Sequence, residues 1–249
     1  MRTKTILSLL LLFVLSFSKA QTVDEIISEY FDAIGGVEKW KTLNGFKITG
    51  KMIGQQSMEI PAEVVELKDG RKYTKISLQG KDLMQDVFDG TSLWGTNFMT
   101  SKAEKNTQEE VDNYKLTIGE FPDVFLDYKK RGLTAEFLGE ETIDGAKTYK
   151  IMLTKKPIKI NGKEVSDIKY YYFDAESYVP ILMESEMRGG DAGEGTMQTK
   201  FSDFSEVDGL LFPFSITWGV KDTPNSSPLV ISKIELNPAV DSSVFAFKE

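Results

Sequence analysis

Residues Met197–Val220 read MQTKFSDFSEVDGLLFPFSITWGV. After Asp208-Gly209, the residues Leu210, Phe212, Phe214, Ile216, Trp218 and Val220 occupy alternate positions, separated by Leu211, Pro213, Ser215, Thr217 and Gly219. Successive side chains of an extended strand point to opposite faces, so this period-two pattern sets six large apolar groups on one side. Asp-Gly between two strand-like runs signals a tight hairpin, because both central residues of a type I′ turn need positive φ. The segment reads as a long antiparallel hairpin with one strongly apolar face. That face covers either a packed core or a cavity for something apolar.

The same rhythm extends in both directions. Toward the N-terminus, strand character begins at Gly45 and continues through Ser57–Leu67, Arg71–Leu78, Asp82–Phe88 and a short piece at Ser92–Phe98. Turn signals at Asp69-Gly70, Gly80 and Asp89-Gly90 recur about every ten residues, the mark of an antiparallel meander. Further strands are expected at Thr134–Glu141, Lys147–Thr154, Asp167–Phe173, Tyr178–Met187 and Leu229–Leu236. The fold class is therefore mainly β: an antiparallel meander closing into a barrel or sandwich of about ten or eleven strands.

Helices punctuate this pattern. Val23–Gly36 carries Val23, Ile26, Ile27, Tyr30, Phe31 and Ile34 at helical spacing, with Thr22 as N-cap and Gly35-Gly36 as the stop. A shorter turn of helix follows at Val37–Leu43. Asn106–Arg131 has no strand rhythm, and Thr107 with Glu110 forms a capping-box pattern. Two helices are expected there, Gln108–Ile118 and Pro122–Lys130, the second with Phe121, Val124, Phe125 and Tyr128 along one face. Such an insert packs its apolar stripe on the sheet or covers an opening in it.

Met1–Ala20 has a basic start (Arg2, Lys4), an apolar run Ile6–Phe17 and small residues at Ser18 and Ala20, which reads as a cleaved secretion signal leaving Gln21 first. The apolar run is shorter than the roughly 20 residues of a spanning helix. Residues 21–249 then form one expected domain. Removing the signal deletes Arg2, Lys4 and Lys19, so 27 cations remain against 38 acids and the net charge moves from −8 to −11. So acidic a chain is a poor match for nucleic acid. With no cysteine there are no disulfides, thiolate nucleophiles or N-terminal lipid anchors; a periplasmic location is the expectation.

Histidine is also absent, which removes the Ser-His-Asp triad and nearly every zinc or haem site. The main surviving enzyme class is a glycan hydrolase working with two carboxylates, for which Glu59, Glu63, Glu66, Glu184 and Glu186 are candidates. Glutamates two apart on a strand also line an ordinary solvated face. Gly189–Gly195, GGDAGEG, lacks a following helix and carries two acids, so it reads as a hairpin loop; Asp191 and Glu194 there show no calcium-ligand pattern. The aromatic supply (Trp94, Trp218, Phe201, Phe204, Tyr170 and Tyr172 among others) and adaptable methionines such as Met58, Met84 and Met183 serve a core, or a core with an apolar cavity.

Several pieces, in order, resemble the outer-membrane lipoprotein-sorting protein family of periplasmic carriers. They are Ala33-Ile34-Gly35-Gly36-Val37-Glu38-Lys39-Trp40, Asp89-Gly90 before Trp94, Gly139–Tyr149, the YYFD of Tyr171–Asp174, the FSDFSEVDGLLFPF of Phe201–Phe214, and Asn237–Phe247. The resemblance implies an open barrel with a helical lid over an apolar concavity that shields lipoprotein acyl chains or another lipid. It implies no enzyme activity and no cofactor. Phe212, Phe214, Ile216, Trp218 and Trp94 would line the concavity, and Phe121, Val124 and Phe125 would close it. Inner- and outer-membrane sorting machinery would be its partners, and the protein a monomer. Family carriers control lid closure with an arginine in the barrel; Arg71, Arg131 and Arg188 are not matched to it by sequence. The other reading is a solid-cored envelope module that docks a partner protein.

Overall fold

The computed structural model describes residues 21–187, 195–224 and 226–247. In chain order the helices are α1 (Val23–Ala33), α2 (Val37–Lys41) and α3 (Gln108–Lys115). The strands are β1 (Gly45–Ile53), β2 (Glu59–Leu67), β3 (Lys72–Leu78), β4 (Lys81–Phe88), β5 (Leu93–Thr96), β6 (Ala103–Lys105), β7 (Thr134–Ile143), β8 (Ala146–Thr154), β9 (Ile158–Ile160), β10 (Lys163–Val165), β11 (Ile168–Asp174), β12 (Pro180–Glu186), β13 (Thr196–Val207), β14 (Leu210–Val220) and β15 (Ser226–Leu236). Thirteen strands make one antiparallel sheet in the order β6-β5-β4-β3-β2-β1-β15-β14-β13-β12-β11-β8-β7, and β9 and β10 form a separate ribbon. The sheet does not close on itself. This is the open architecture that the family resemblance implies, with more strands than the ten or eleven predicted, because β6 and the two strands of the ribbon, three residues each, are too short to leave a clear period-two signal.

The hairpin from which the fold was read is β13–β14, paired from Met197↔Val220 to Val207↔Leu210. Its turn residues Asp208 (φ 50) and Gly209 (φ 76) have the double positive φ of a type I′ turn. Asp144-Gly145 between β7 and β8 repeats the device.

Helix α1 lies against the concave face. Thr22 and Glu25 form a reciprocal capping box, with Glu25 N donating to Thr22 Oγ1 at 3.2 Å and Thr22 N to Glu25 Oε2 at 2.9 Å. Ile26, Ile27, Tyr30, Phe31 and Ile34 are all buried in the main core, with Ile151, Leu153, Phe173, Leu229, Ile231 and Ile234 of the sheet. Each such side chain contributes roughly 1.5–3 kcal/mol of burial. The helix end is tied to the hairpin tip: Leu211 N donates to Ile34 O at 3.0 Å. Gly35 (φ 108) is required there, since a Cβ would stand 2.2 Å from Gly209 O.

The second helix expected in the insert, Pro122–Lys130, is absent. Residues 121–133 form consecutive turns instead. Phe121 is extended (ψ 140) ahead of Pro122, as a residue before proline prefers. Asp123 Oδ1 accepts from Phe125 N at 2.7 Å, a local turn that competes with helix, and Asp127 sits at φ 53. The apolar side chains still reach the core: Phe125, Leu126, Tyr128 and Leu133 are buried there, with Phe121 and Val124 packed against it.

The sheet's opposite face carries its own small core of Val65, Tyr73, Val87, Trp94 and Phe245, covered by the C-terminal tail. The ribbon β9–β10 reaches across to α3. Asn113 exchanges two hydrogen bonds with the Lys159 backbone (2.7 and 2.9 Å), and the Glu109 carboxylate accepts from Asn161 N and Gly162 N (2.8 and 2.6 Å).

Candidate binding cleft

Between the concave face, α1 and residues 121–125 lies a cleft of about 570 Å³. That volume falls within the range of small-molecule and cofactor sites, about 300–1,000 Å³. Its apolar wall is made by Phe46, Phe121, Val124, Phe125, Phe212 and Leu211, with Trp40 and Ile34 at its side. Phe121 stacks on Phe46, with ring centroids 5.5 Å apart. Phe125 meets Tyr171 edge-on at 4.9 Å and Phe173 at 5.4 Å, and so anchors the covering segment to β11.

The sequence-predicted residues divide into three groups. Phe121, Val124, Phe125 and Phe212 line the cleft together. Phe214, Ile216 and Trp218 are half-buried against the same core but stand farther along β14, away from the cleft wall. Trp218 instead borders a shallow depression with Ile53, Met197 and Val220. Trp94 belongs to the opposite face: its indole N–H donates to Phe245 O at 2.9 Å, and its ring meets Phe247. Alternation shows that the two faces of a strand differ; which of them is concave depends on the curvature of the whole sheet. Leu211 and Pro213, on the other alternate positions of β14, and Phe204 of β13 also border the cleft, next to Asp203, whose φ of 54 departs from extended backbone.

The unforeseen part of the site is polar. Lys155 reaches in with its side chain only 5% exposed and binds Glu120 at 2.9 Å and Asp167 at 3.4 Å. Tyr30 donates its hydroxyl to Asp123 Oδ2 at 2.7 Å. Burial raises the Asp123 carboxyl above the ordinary carboxylate range, against the lowering effect of the bonds from Tyr30 and Phe125 N. Burial likewise raises Glu66 at the far side of the cleft, where the Lys72 ammonium lies 4.3 Å from the centre of the Tyr114 ring. Lys169 also lines the cleft, and burial followed by the like charge of Lys155 lowers its pKa. A signal for Lys169 did exist: it shares the alternate positions of β11 with Tyr171 and Phe173, where an apolar residue would be expected.

Of the five glutamates considered for paired-carboxylate chemistry, only Glu66 lines the cleft. Glu63 is on the other face of β2, held by Tyr73, Lys47 and Lys75, while Glu184 accepts from Tyr172, Gln198 and Lys221. Glu59 pairs with Lys51, and Glu186 lies at the end of β12. Among the arginines, Arg71 binds Asp69 and Ser242 on the tail side. Arg131 donates through Nη2 to the carbonyls of Val124 and Leu126, bracing the covering segment from within, while its buried Nε and Nη1 have no hydrogen-bond partner among the described residues. Arg188, Asp191 and Glu194 lie outside the described residues, as does most of the Gly189–Gly195 loop. No described helix is long and apolar enough to cross a membrane.

No protein-family model matches the sequence, and none of the curated proteins does. Solved structures do match. An outer-membrane lipoprotein-sorting protein domain from Vibrio parahaemolyticus superposes with a TM-score of 0.54 at 12% identity, covering 89% of this chain and 94% of that one. A LolA superfamily protein from Nitrosomonas europaea gives 0.53 at 15% identity, covering 91% and 98%. A DUF1329 family protein from Desulfovibrio piger gives 0.54 at 14% identity, covering 89% and 97%. Likeness at these identities is one of fold, and it agrees with the family resemblance read from the sequence. The chain has the open antiparallel-sheet fold of the lipoprotein-sorting, LolA-like proteins.

Proposed function

We propose that this protein is a periplasmic carrier that holds a lipid, or the acyl chains of a lipoprotein, in the cleft beneath residues 121–125. The observation that carries this reading is the cleft itself: an aromatic-lined space of about 570 Å³ on the concave face, under a segment with no regular secondary structure. A packed interior would leave no such space. Each methylene taken up there gains about 0.8 kcal/mol over water, so even a partly enclosed chain is retained. The half-buried row Phe214, Ile216 and Trp218 extends apolar surface along β14 beyond the cleft, toward the sheet's other end. α1 fills much of the concave face, so the cargo is smaller than the whole concavity would admit. On this reading the mature chain starts at Gln21, works as a single-domain monomer without enzymatic chemistry, and meets envelope sorting machinery at each end of its route.

The test is to purify the protein from the periplasm without detergent, extract it with organic solvent and identify lipids by mass spectrometry. Binding of the neutral dye Nile red would be measured in parallel. Co-purifying acyl lipid, with saturable dye binding that the extracted lipid displaces, is the expected result. A lipid-free protein that ignores the dye overturns the reading and leaves the solid-cored docking module.

A further inference from the structure

We infer that the cleft takes an anionic amphiphile, whose carboxylate or phosphate head group seats on Lys169 and Tyr171 while its chain lies over Phe121, Phe125 and Phe212. This inference rests on the carrier reading above and adds the chemical class of the ligand. Lys169 and Tyr171 are two residues apart on β11 and both line the cleft. Two neighbouring charged groups are already engaged. Lys155 is held by Glu120 and Asp167, and Asp123 accepts from Tyr30 and Phe125 N. Among the described residues, the Lys169 ammonium and the Tyr171 hydroxyl have neither hydrogen bond nor ion pair.

Lys169 and Tyr171 are half-buried, so in the empty cleft both donors stay within reach of solvent; a ligand that fills the cleft shuts that solvent out and must bring an acceptor in its place, because burying a polar group without a partner is costly. The surrounding charge permits an anion to fill that role. Lys72, Lys155 and Lys169 line the cleft against Glu120, with Asp167 beside Lys155, while burial disfavours the charged forms of the other two cleft acids, Glu66 and Asp123. An incoming carboxylate or phosphate would pair with Lys169 and accept from the Tyr171 hydroxyl, both charge-assisted bonds. Phe125, which meets Tyr171 edge-on, would hold the first part of the chain beside that head group. An uncharged lipid offers only neutral oxygen acceptors, whose bonds to these donors are roughly half as strong.

Displacement of Nile red separates these cases, with palmitate, hexadecanol and lysophosphatidate as competitors and with acetate and inorganic phosphate as head groups lacking a chain. The expected order is palmitate and lysophosphatidate ahead of hexadecanol by about tenfold or more, the scale of a charged hydrogen bond. Acetate and phosphate should be ineffective, because the chain supplies much of the affinity; displacement by either at similar concentration would mean a free-anion site and overturn the assignment. Lys169→Gln should abolish the preference by weakening the two acids far more than hexadecanol, Tyr171→Phe should reduce it, and Lys169→Arg should keep it. Each variant is compared by thermal unfolding, and the Tyr171→Phe and Lys169→Arg pair decides the matter if Lys169→Gln fails to fold. Equal affinity for the acid and the alcohol, unchanged by the variants, overturns the head-group assignment and leaves the carrier reading intact. Nile red binding that no amphiphile displaces overturns both.

Discussion

Replacing Phe125 by alanine tests how the covering segment is attached. The side chain is 3% exposed and its ring lies within 6.4 Å of Tyr30, Tyr128, Tyr171 and Phe173, centroid to centroid. Truncating a buried phenylalanine costs about 3–5 kcal/mol, through lost burial and the cavity left behind. For a chain of this size each kcal/mol lowers the melting temperature by roughly 2–4 °C, so the expected drop is about 6–20 °C. Phe121→Ala provides the contrast. Phe121 is half-buried and stacks on Phe46, so its loss should cost only about 1–2 kcal/mol. Thermal melts followed by far-UV circular dichroism, with urea titrations for the free energies, read both values. Phe125→Ala should also widen the cleft and increase Nile red uptake by the remaining folded protein. A Phe125→Ala melt within about 2 °C of wild type, well below that expected drop, would show that the segment is not anchored through this ring.

Three further outcomes follow from the geometry. The pKa of Asp123 is raised by burial above its ordinary 3.8, so its contribution to stability is fully present below the unfolded-state pKa and is lost as pH rises through the folded-state value. Asp123→Asn should therefore gain stability relative to wild type across that window in urea titrations run as a function of pH, and parallel profiles would contradict the assignment. Asn113→Ala removes both bonds to the Lys159 backbone; it should cost less than about 2 kcal/mol overall yet speed amide exchange across Ile158–Val165, and unchanged exchange there would argue against the tether. Trp94→Phe strips the Phe245 carbonyl of its indole donor and should destabilise by about 1–3 kcal/mol. Because Trp94 lies on the opposite face from the cleft, Nile red affinity should stay the same; a changed affinity would place that side chain at the site after all.

What could be read from the sequence follows the range of the forces involved. The β13–β14 hairpin was legible because alternation and an Asp-Gly turn are local, and α1 was legible because its cap, its apolar stripe and its Gly-Gly stop lie within fifteen residues. The insert misled because Val124, Phe125 and Tyr128 keep helical spacing, while Pro122 and the Asp123 side chain steer the backbone into turns. The aromatic wall was half legible. The sequence points to Phe121, Phe125 and Phe212 but sets Trp94 beside them rather than on the opposite face, because the sheet's curvature is a property of many strands together. The polar floor was missed: Lys155, Lys169 and Glu120 come from separate elements, and no spacing in the chain announces that they meet.

Because the sheet stays open, it ends, among the described residues, in two edge strands paired on one side only, and their composition bears on association. β6 is only three residues long and offers little backbone to an incoming strand. β7 is longer, with ten residues, and carries Glu136, Glu140 and Glu141 together with a kink in register near Gly139. Another copy adding edge-to-edge along β7 would bring like charges together across a bent template. The short β6 and the bent, acid-bearing β7 are thus poor templates for a second copy to extend, even though the half-barrel is never sealed by its own backbone.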